Sequence, residues 1–557
     1  MLNLYSPEEI WQDFKIEEDA DPYFTNKRED ENNVYYDVYF NGRRTESGIT
    51  RIYGLFAYPK KVKCPVVLLC HDVNSSVDKE FVDLFLNLKY AVLMCDMYGE
   101  AEDRKYTYYP VELEFANRKE HEEYRIVKDD PKSTMQYQWT CVQRYAINFI
   151  KSQGERVIAD KICAVGIREG AEIAWRLACT EELTCAMPLF YAGWKEYEKM
   201  SKNGVGQIDD NTNAIASYIA GLSPQSQAPF IKVPTLFMTP SNYAHGGLDR
   251  AFDTMARANG EYYCPIYVSP GQVNAIDEDG TKNIKVWLDK NLKNTETILA
   301  ERPLLSLENF SNKLVPKCIV DKPEEVLRVR FYYAEGVEEP SSRCYYEREL
   351  SLSGDGYISS VNITSSEHKI YAFANVSYKN GFTITSNLVN CVLSEKGFEK
   401  DYNKENLIYN SLLGRDTFRA LPKIEDNSLK GTFIEKDDLS VRVCYGGIKG
   451  LSSEMSMATF KFANPKYQGE KGNILVFDLF SEEQCSIELC AYTQNNDKWQ
   501  RFNSTVKTVG GRLWQNFRLD EGDFKTEEQI PLSAWDEVKY MTFSSNDKYM
   551  INNILWL

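Results

Sequence analysis

The chain has 557 residues, more than a single compact core supports, so two or three domains are expected. Apolar residues make up 43% and charged ones 26%. No run of about 18 or more apolar residues is available to span a bilayer, and a membrane role is excluded at this level. The formal net charge of -17 argues against a polyanionic partner such as nucleic acid, which needs clustered Lys and Arg.

The opening residues, Met1 to Glu9, show no basic segment followed by an apolar stretch, so the expected location is cytoplasmic. The 14 cysteines are scattered singly through apolar runs with no C-x-x-C pair, and the four histidines are far apart. Neither pattern suits a metal ion, and no metal or cofactor is predicted.

From about residue 50 to 295, short apolar runs alternate with longer helical ones, the pattern of a mainly parallel sheet flanked by helices. Strands are predicted at Pro65 to Cys70, Ala91 to Cys95, Ile162 to Val165, Ala186 to Tyr191, Thr235 to Met238 and Tyr262 to Val268. Helices are predicted at Phe81 to Leu88, Met135 to Ile150, Ala171 to Cys179, Leu248 to Ala256 and Lys282 to Leu292. After Pro303 the texture becomes short alternating runs such as Leu327 to Tyr333 and Ile370 to Val376, which read as sandwich strands. The predicted division is an α/β domain at 1–300, an immunoglobulin-like or fibronectin-like sandwich at 301–398, and a jelly roll at 399–557.

Within the first domain, Cys163-Ala-Val-Gly-Ile-Arg-Glu-Gly-Ala-Glu172 reads as a strand, a tight turn and a helix. This segment resembles the G-x-S-x-G elbow of α/β-hydrolases, with Arg168 in place of the nucleophilic serine. Leu68 to Asp78, Met94 to Gly99 and Pro234 to Arg250 resemble further segments of the dienelactone hydrolase and acetyl xylan esterase branch of that superfamily. The resemblance implies an α/β-hydrolase fold over roughly 30–295. It also implies that the acid falls at Tyr243, after Asn242, and the histidine in Ser269 to Asp277, near Asn274, so all three triad positions are substituted. A guanidinium stays protonated and cannot attack a carbonyl, and loss of a triad costs on the order of a millionfold in rate. The residues therefore point away from catalysis and toward a pseudo-esterase.

Arg168 and Glu169 offer an anion or carbohydrate site at a helix N-terminus, against the ordinary alternative of an ion pair plugging the old pocket. His71, His245 and Tyr98 stand near the expected pocket as ligand-contacting candidates, although such residues more often order loops. In the last domain, Trp499 and Trp514 are candidates for stacking on sugar rings, or else sandwich core. Three functions stay open: a non-catalytic protein binding an oligosaccharide or a partner, an active deacetylase on acylated sugars with a rearranged site, and a structural or regulatory subunit of an active paralogue. The expected partners are an oligosaccharide or acylated sugar, a second copy of the chain or that paralogue.

Overall fold

The computed structural model describes residues 4–557 apart from 74, 100–105, 118–129, 181, 194–211, 244–246, 259, 273–274, 364, 400–403, 422–438, 445, 454–455 and 496–497. Its first domain is built on nine strands: β1 Tyr23–Glu29, β2 Asn33–Arg44, β3 Ile49–Pro59, β4 Pro65–Cys70, β5 Ala91–Cys95, β6 Ile158–Ile167, β7 Cys185–Leu189, β8 Phe237–Pro240 and β9 Ile266–Ser269. They lie in the order β1-β2-β3-β5-β4-β6-β7-β8-β9. The first three are antiparallel and the sheet turns parallel at β5 and β4, where Val66 pairs with Ala91 and Cys70 with Gly166. β4 and β5 are buried along their whole length, as strands covered on both faces must be, and this explains their unbroken apolar sequence.

Six helices matter for the site: α1 Lys79–Asn87, α2 Met135–Ser152, α3 Glu169–Ala178, α4 Thr212–Leu222, α5 Leu248–Ala256 and α6 Glu278–Leu292. Three begin on a side chain that accepts a hydrogen bond from the first turn: Asp78 for α1, Thr134 for α2 and Asp277 for α6. Two expected strands start later than the sequence suggests, at Phe237 and Ile266. Thr235 N already donates to Tyr263 O, but Pro265 has no N–H to return to the ladder, so regular pairing of β8 with β9 sets in only at Phe237 and Ile266. The β1–β3 meander and α4 were not predicted.

The middle domain is an eight-stranded antiparallel sheet running from Leu304 to Val392, with Val326–Glu335 and Lys369–Tyr378 at its centre. Leu305, Leu314, Phe331 and Ile370 from different parts of this sheet share one core. That core is continuous with Trp287 and Leu288 of α6, so the two domains are welded rather than tethered. The last domain stacks a six-stranded sheet containing Leu475–Ser481 and Tyr549–Trp556 on a five-stranded sheet containing Ser486–Asn495 and Val538–Ser544. Phe477, Leu489, Trp535 and Ile551 fill the space between them.

β9 is an edge strand, and its free backbone would invite pairing. Here the middle domain satisfies it with side chains: Thr385 Oγ1 accepts from Val268 N at 2.9 Å, and Asn375 Nδ2 donates to Val268 O at 2.9 Å. No described helix is long and apolar enough to cross a membrane.

Candidate functional site

The elbow is intact as a piece of backbone. Arg168 sits between β6 and α3 at φ 54° and ψ -116°, a strained conformation that only a well-supported turn holds. Both flanking glycines are required by close approach. A Cβ on Gly166 would stand 2.1 Å from the Gly170 carbonyl oxygen, and one on Gly170 would stand 2.2 Å from that of Cys70. These contacts draw the start of α3 down onto β4, which in an esterase lifts the nucleophile clear of the sheet.

What projects from this turn is a guanidinium. Arg168 Nη1 donates to Asp72 Oδ2 at 3.2 Å, with the arginine side chain 16% exposed and the aspartate almost fully buried. The guanidinium carbon lies 5.7 Å from the centre of the Phe190 ring, and Phe190 in turn packs edge-on against Tyr243. Burial works against the charge, but neighbouring Tyr243 and the Asp72 carboxylate outweigh it and hold the group above its ordinary pKa. The other Asp72 oxygen, Oδ1, is buried with no hydrogen-bond partner among the described residues. Glu169, next along, is half-buried in the first turn of α3.

Beyond β8 the segment that carries the acid in the resembled family is turned to another use. Asn242 Nδ2 donates to the backbone carbonyls of Ser341 at 3.2 Å and Arg343 at 2.8 Å, and its Oδ1 accepts from Ser241. Arg343, fully buried, pairs with Asp249 of α5 and lies 3.4 Å from the centre of the Tyr371 ring. Tyr243 itself is buried. His245 and Asn274 lie outside the described residues.

In the loop after β9, Gly271 N donates to Ser241 Oγ at 2.7 Å, and Asn242 N donates to Gln272 O at 2.9 Å. Arg419 of the last domain reaches in to donate to Pro270 O at 3.4 Å. This loop ends at a carboxylate not singled out from the sequence. Asp277 Oδ1 accepts from Tyr267 Oη at 2.6 Å and from Gly280 N at 3.0 Å, and burial raises its pKa. Its capping position before α6 was the available signal.

His71 is buried against the edge of Tyr98, whose hydroxyl donates to the His71 carbonyl at 2.9 Å. Its Nδ1 lies 3.0 Å from Asp72 O and 3.1 Å from Ser75 Oγ. A carbonyl only accepts, so Nδ1 carries the proton, and Ser75 Oγ donates to the same carbonyl at 2.9 Å. The imidazole thus has no lone pair aimed at the serine. Burial pushes its pKa down to about 4. His71 and Tyr98 organise the loop after β4 and present no solvent-facing surface to a ligand.

Trp499 and Trp514 are both half-buried. Trp499 packs edge-on against Tyr540, while Trp514 lies against Phe480 and donates from Nε1 to Cys444 Sγ at 3.1 Å. The structure does not bring either to the elbow. It does form a cleft of about 880 Å³ at the meeting of the three domains, walled by Pro270 and Asp279, by Arg330 and Tyr332, and by Asp416 and Arg419. No sequence signal pointed to this cleft, because its walls come from three domains. Among the described residues no cluster of His, Cys, Asp and Glu is arranged to hold a metal ion.

Comparison with family models agrees with the fold of the first domain. Residues 52–221 match the model of the dienelactone hydrolase family. No curated protein matches the chain. Among solved structures, an acetyl xylan esterase from a Paenibacillus species is similar at 16% identity and a TM-score of 0.42, over 51% of this chain and 92% of that one. Acetyl xylan esterase 1 from a Thermoanaerobacterium species is similar at 13% identity and a TM-score of 0.35, over 45% and 82%. Residues 52–221 are thus a dienelactone hydrolase family domain, carried in a longer chain that continues into two β-rich domains.

Proposed function

We propose that this chain is a non-hydrolysing member of an esterase-like fold that binds carbohydrate. The observation that carries the reading is Arg168: an always-charged side chain occupies the elbow and is tied to the buried Asp72 carboxylate. Attack on an ester needs a nucleophile whose proton a base can take. Among the described residues the sole Ser and His pair beside the elbow is Ser75 with His71, and there the imidazole donates rather than accepts. This argues against the alternative, an active deacetylase on acylated sugars with a rearranged site.

The loops after β8 and β9 support the same conclusion from the other side. Asn242 and Pro270 spend their polar groups on the middle and last domains, which turns a catalytic face into an internal joint. That stitching also favours a second reading, in which the chain is a structural or regulatory partner of an active paralogue.

Turnover of p-nitrophenyl acetate by the full chain and by Arg168→Ala tests the first claim. Both are expected to match the buffer blank. Robust turnover by the wild type, abolished on mutating Ser75, would reinstate an esterase. A glycan array separates carbohydrate binding from the partner role, which predicts a silent array.

A further inference from the structure

We propose that the cleft between the three domains is the binding site for a neutral oligosaccharide. This rests on the carbohydrate-binding reading above and gives it a location away from the elbow. At about 880 Å³ the cleft lies within the range of sites that enclose small ligands, roughly 300–1,000 Å³.

The charges in its walls cancel locally. Arg328 and Arg330 both donate to Asp279 Oδ2, at 2.7 and 2.5 Å, so the first two domains are clamped through one carboxylate. Lys461 pairs with Asp416 at 2.7 Å, and Lys466 with Glu405 at 2.6 Å. A polyanion would need a surplus of cations, whereas this lining carries as many carboxylates as basic side chains. An extended peptide would need apolar pockets for its side chains, whereas the apolar lining is confined to Pro270, Leu407 and Leu413 beside the aromatic rings.

The same walls hold polar groups whose bonding capacity is unspent. The Tyr332 hydroxyl is fully buried, lines the cleft beside the Glu347 carboxylate and has no partner in good hydrogen-bond geometry among the described residues. The Nε groups of Arg328 and Arg330 are equally sealed and unpartnered. Buried polar atoms in this state are rare, and they mark either strain or a place where a ligand completes the bonding. Sugar hydroxyls both donate and accept, so they fit a lining in which guanidinium donors alternate with carboxylate acceptors. Tyr346 and Tyr467 in the same walls supply ring surface of the kind that sugar C–H groups pack against.

The test is isothermal titration calorimetry on the full chain with four probes: xylotetraose, cellotetraose, mannotetraose and tetragalacturonate. At least one neutral tetrasaccharide is expected to bind more tightly than the acidic one. Tyr332→Phe is expected to weaken that binding about three- to tenfold, the effect of one hydrogen bond, while melting temperature holds or rises because an unsatisfied group is removed. Trp514→Ala, which alters a tryptophan outside the cleft, is expected to leave affinity unchanged. Unaltered binding in Tyr332→Phe, or loss in Trp514→Ala alone, overturns the cleft while leaving carbohydrate binding in place. Tighter binding of tetragalacturonate overturns the neutral class of ligand. Silence across all four probes together with a silent glycan array overturns both the cleft and the reading it rests on.

Discussion

Arg168 and Asp72 meet at 3.2 Å across two loops that are 96 residues apart in sequence, and both side chains are largely shielded from water. Removing one partner of such a pair leaves a charge stranded. Asp72→Asn is expected to destabilise the first domain by about 3 kcal/mol, whereas Arg168→Met with Asp72→Leu recovers most of the loss. Differential scanning calorimetry of the single and double variants checks this. Equal melting of Asp72→Asn and wild type would mean that the pair is solvated and contributes nothing.

Gly170 is fixed by geometry, not by chemistry. A methyl group there would collide with the Cys70 carbonyl, which belongs to a central strand and cannot withdraw. Gly170→Ala is expected to cost at least about 3 kcal/mol and to lower soluble yield sharply. Alanine at Gly154, where a Cβ meets nothing within 4 Å, serves as the control and is expected to be neutral. The soluble fractions of the two variants give the comparison.

His71 makes stability depend on pH. Its folded pKa lies near 4 against an ordinary 6.5, so the unfolded chain takes up the proton first as the solution is acidified. The stabilisation is present above pH 6.5, is lost progressively as pH falls from 6.5 to about 4, and changes no further below that. The total is about 3 kcal/mol for such a shift. His71→Gln is expected to flatten the stability profile in that window by about one proton, measured from urea midpoints at successive pH values. A profile identical to wild type would show that the imidazole titrates normally.

Arg343 holds the joint between the first two domains through Asp249, two backbone carbonyls of its own domain and the face of Tyr371. Arg343→Ala strands the Asp249 carboxylate and empties a fully buried space. The variant is expected to split one cooperative thermal transition into two and to open the 336–345 segment to protease. A single transition at the wild-type temperature would show that the joint is held elsewhere.

The elbow was legible in the sequence because backbone sterics wrote it there: Gly166 and Gly170 are the residues that the crossing of α3 over β4 permits. The parallel strands were legible for a similar reason, since burial on both faces demands an unbroken apolar run. Arg168 could be recognised as a non-nucleophile, but not its partner, because nothing local links it to Asp72. His71 looked like a pocket residue, whereas its carbonyl and ring are consumed in folding the loop after β4. The antiparallel β1–β3 meander escaped notice because aromatic and charged residues there blur the alternation. The cleft was invisible for a deeper reason: Asp279, Tyr332 and Arg419 are far apart in sequence and become neighbours only when the three parts of the chain pack together.

The side-chain cover that Asn375 and Thr385 place over Val268 makes the middle domain a chaperone built into the same polypeptide. A chain ending at residue 300 would bare a strand margin ready to recruit another copy, so it should self-associate under conditions in which the whole chain does not. Carrying the middle domain in the same chain then protects the first one's solubility as well as adding surface, and the first domain is not free to stand in another protein without a replacement guard.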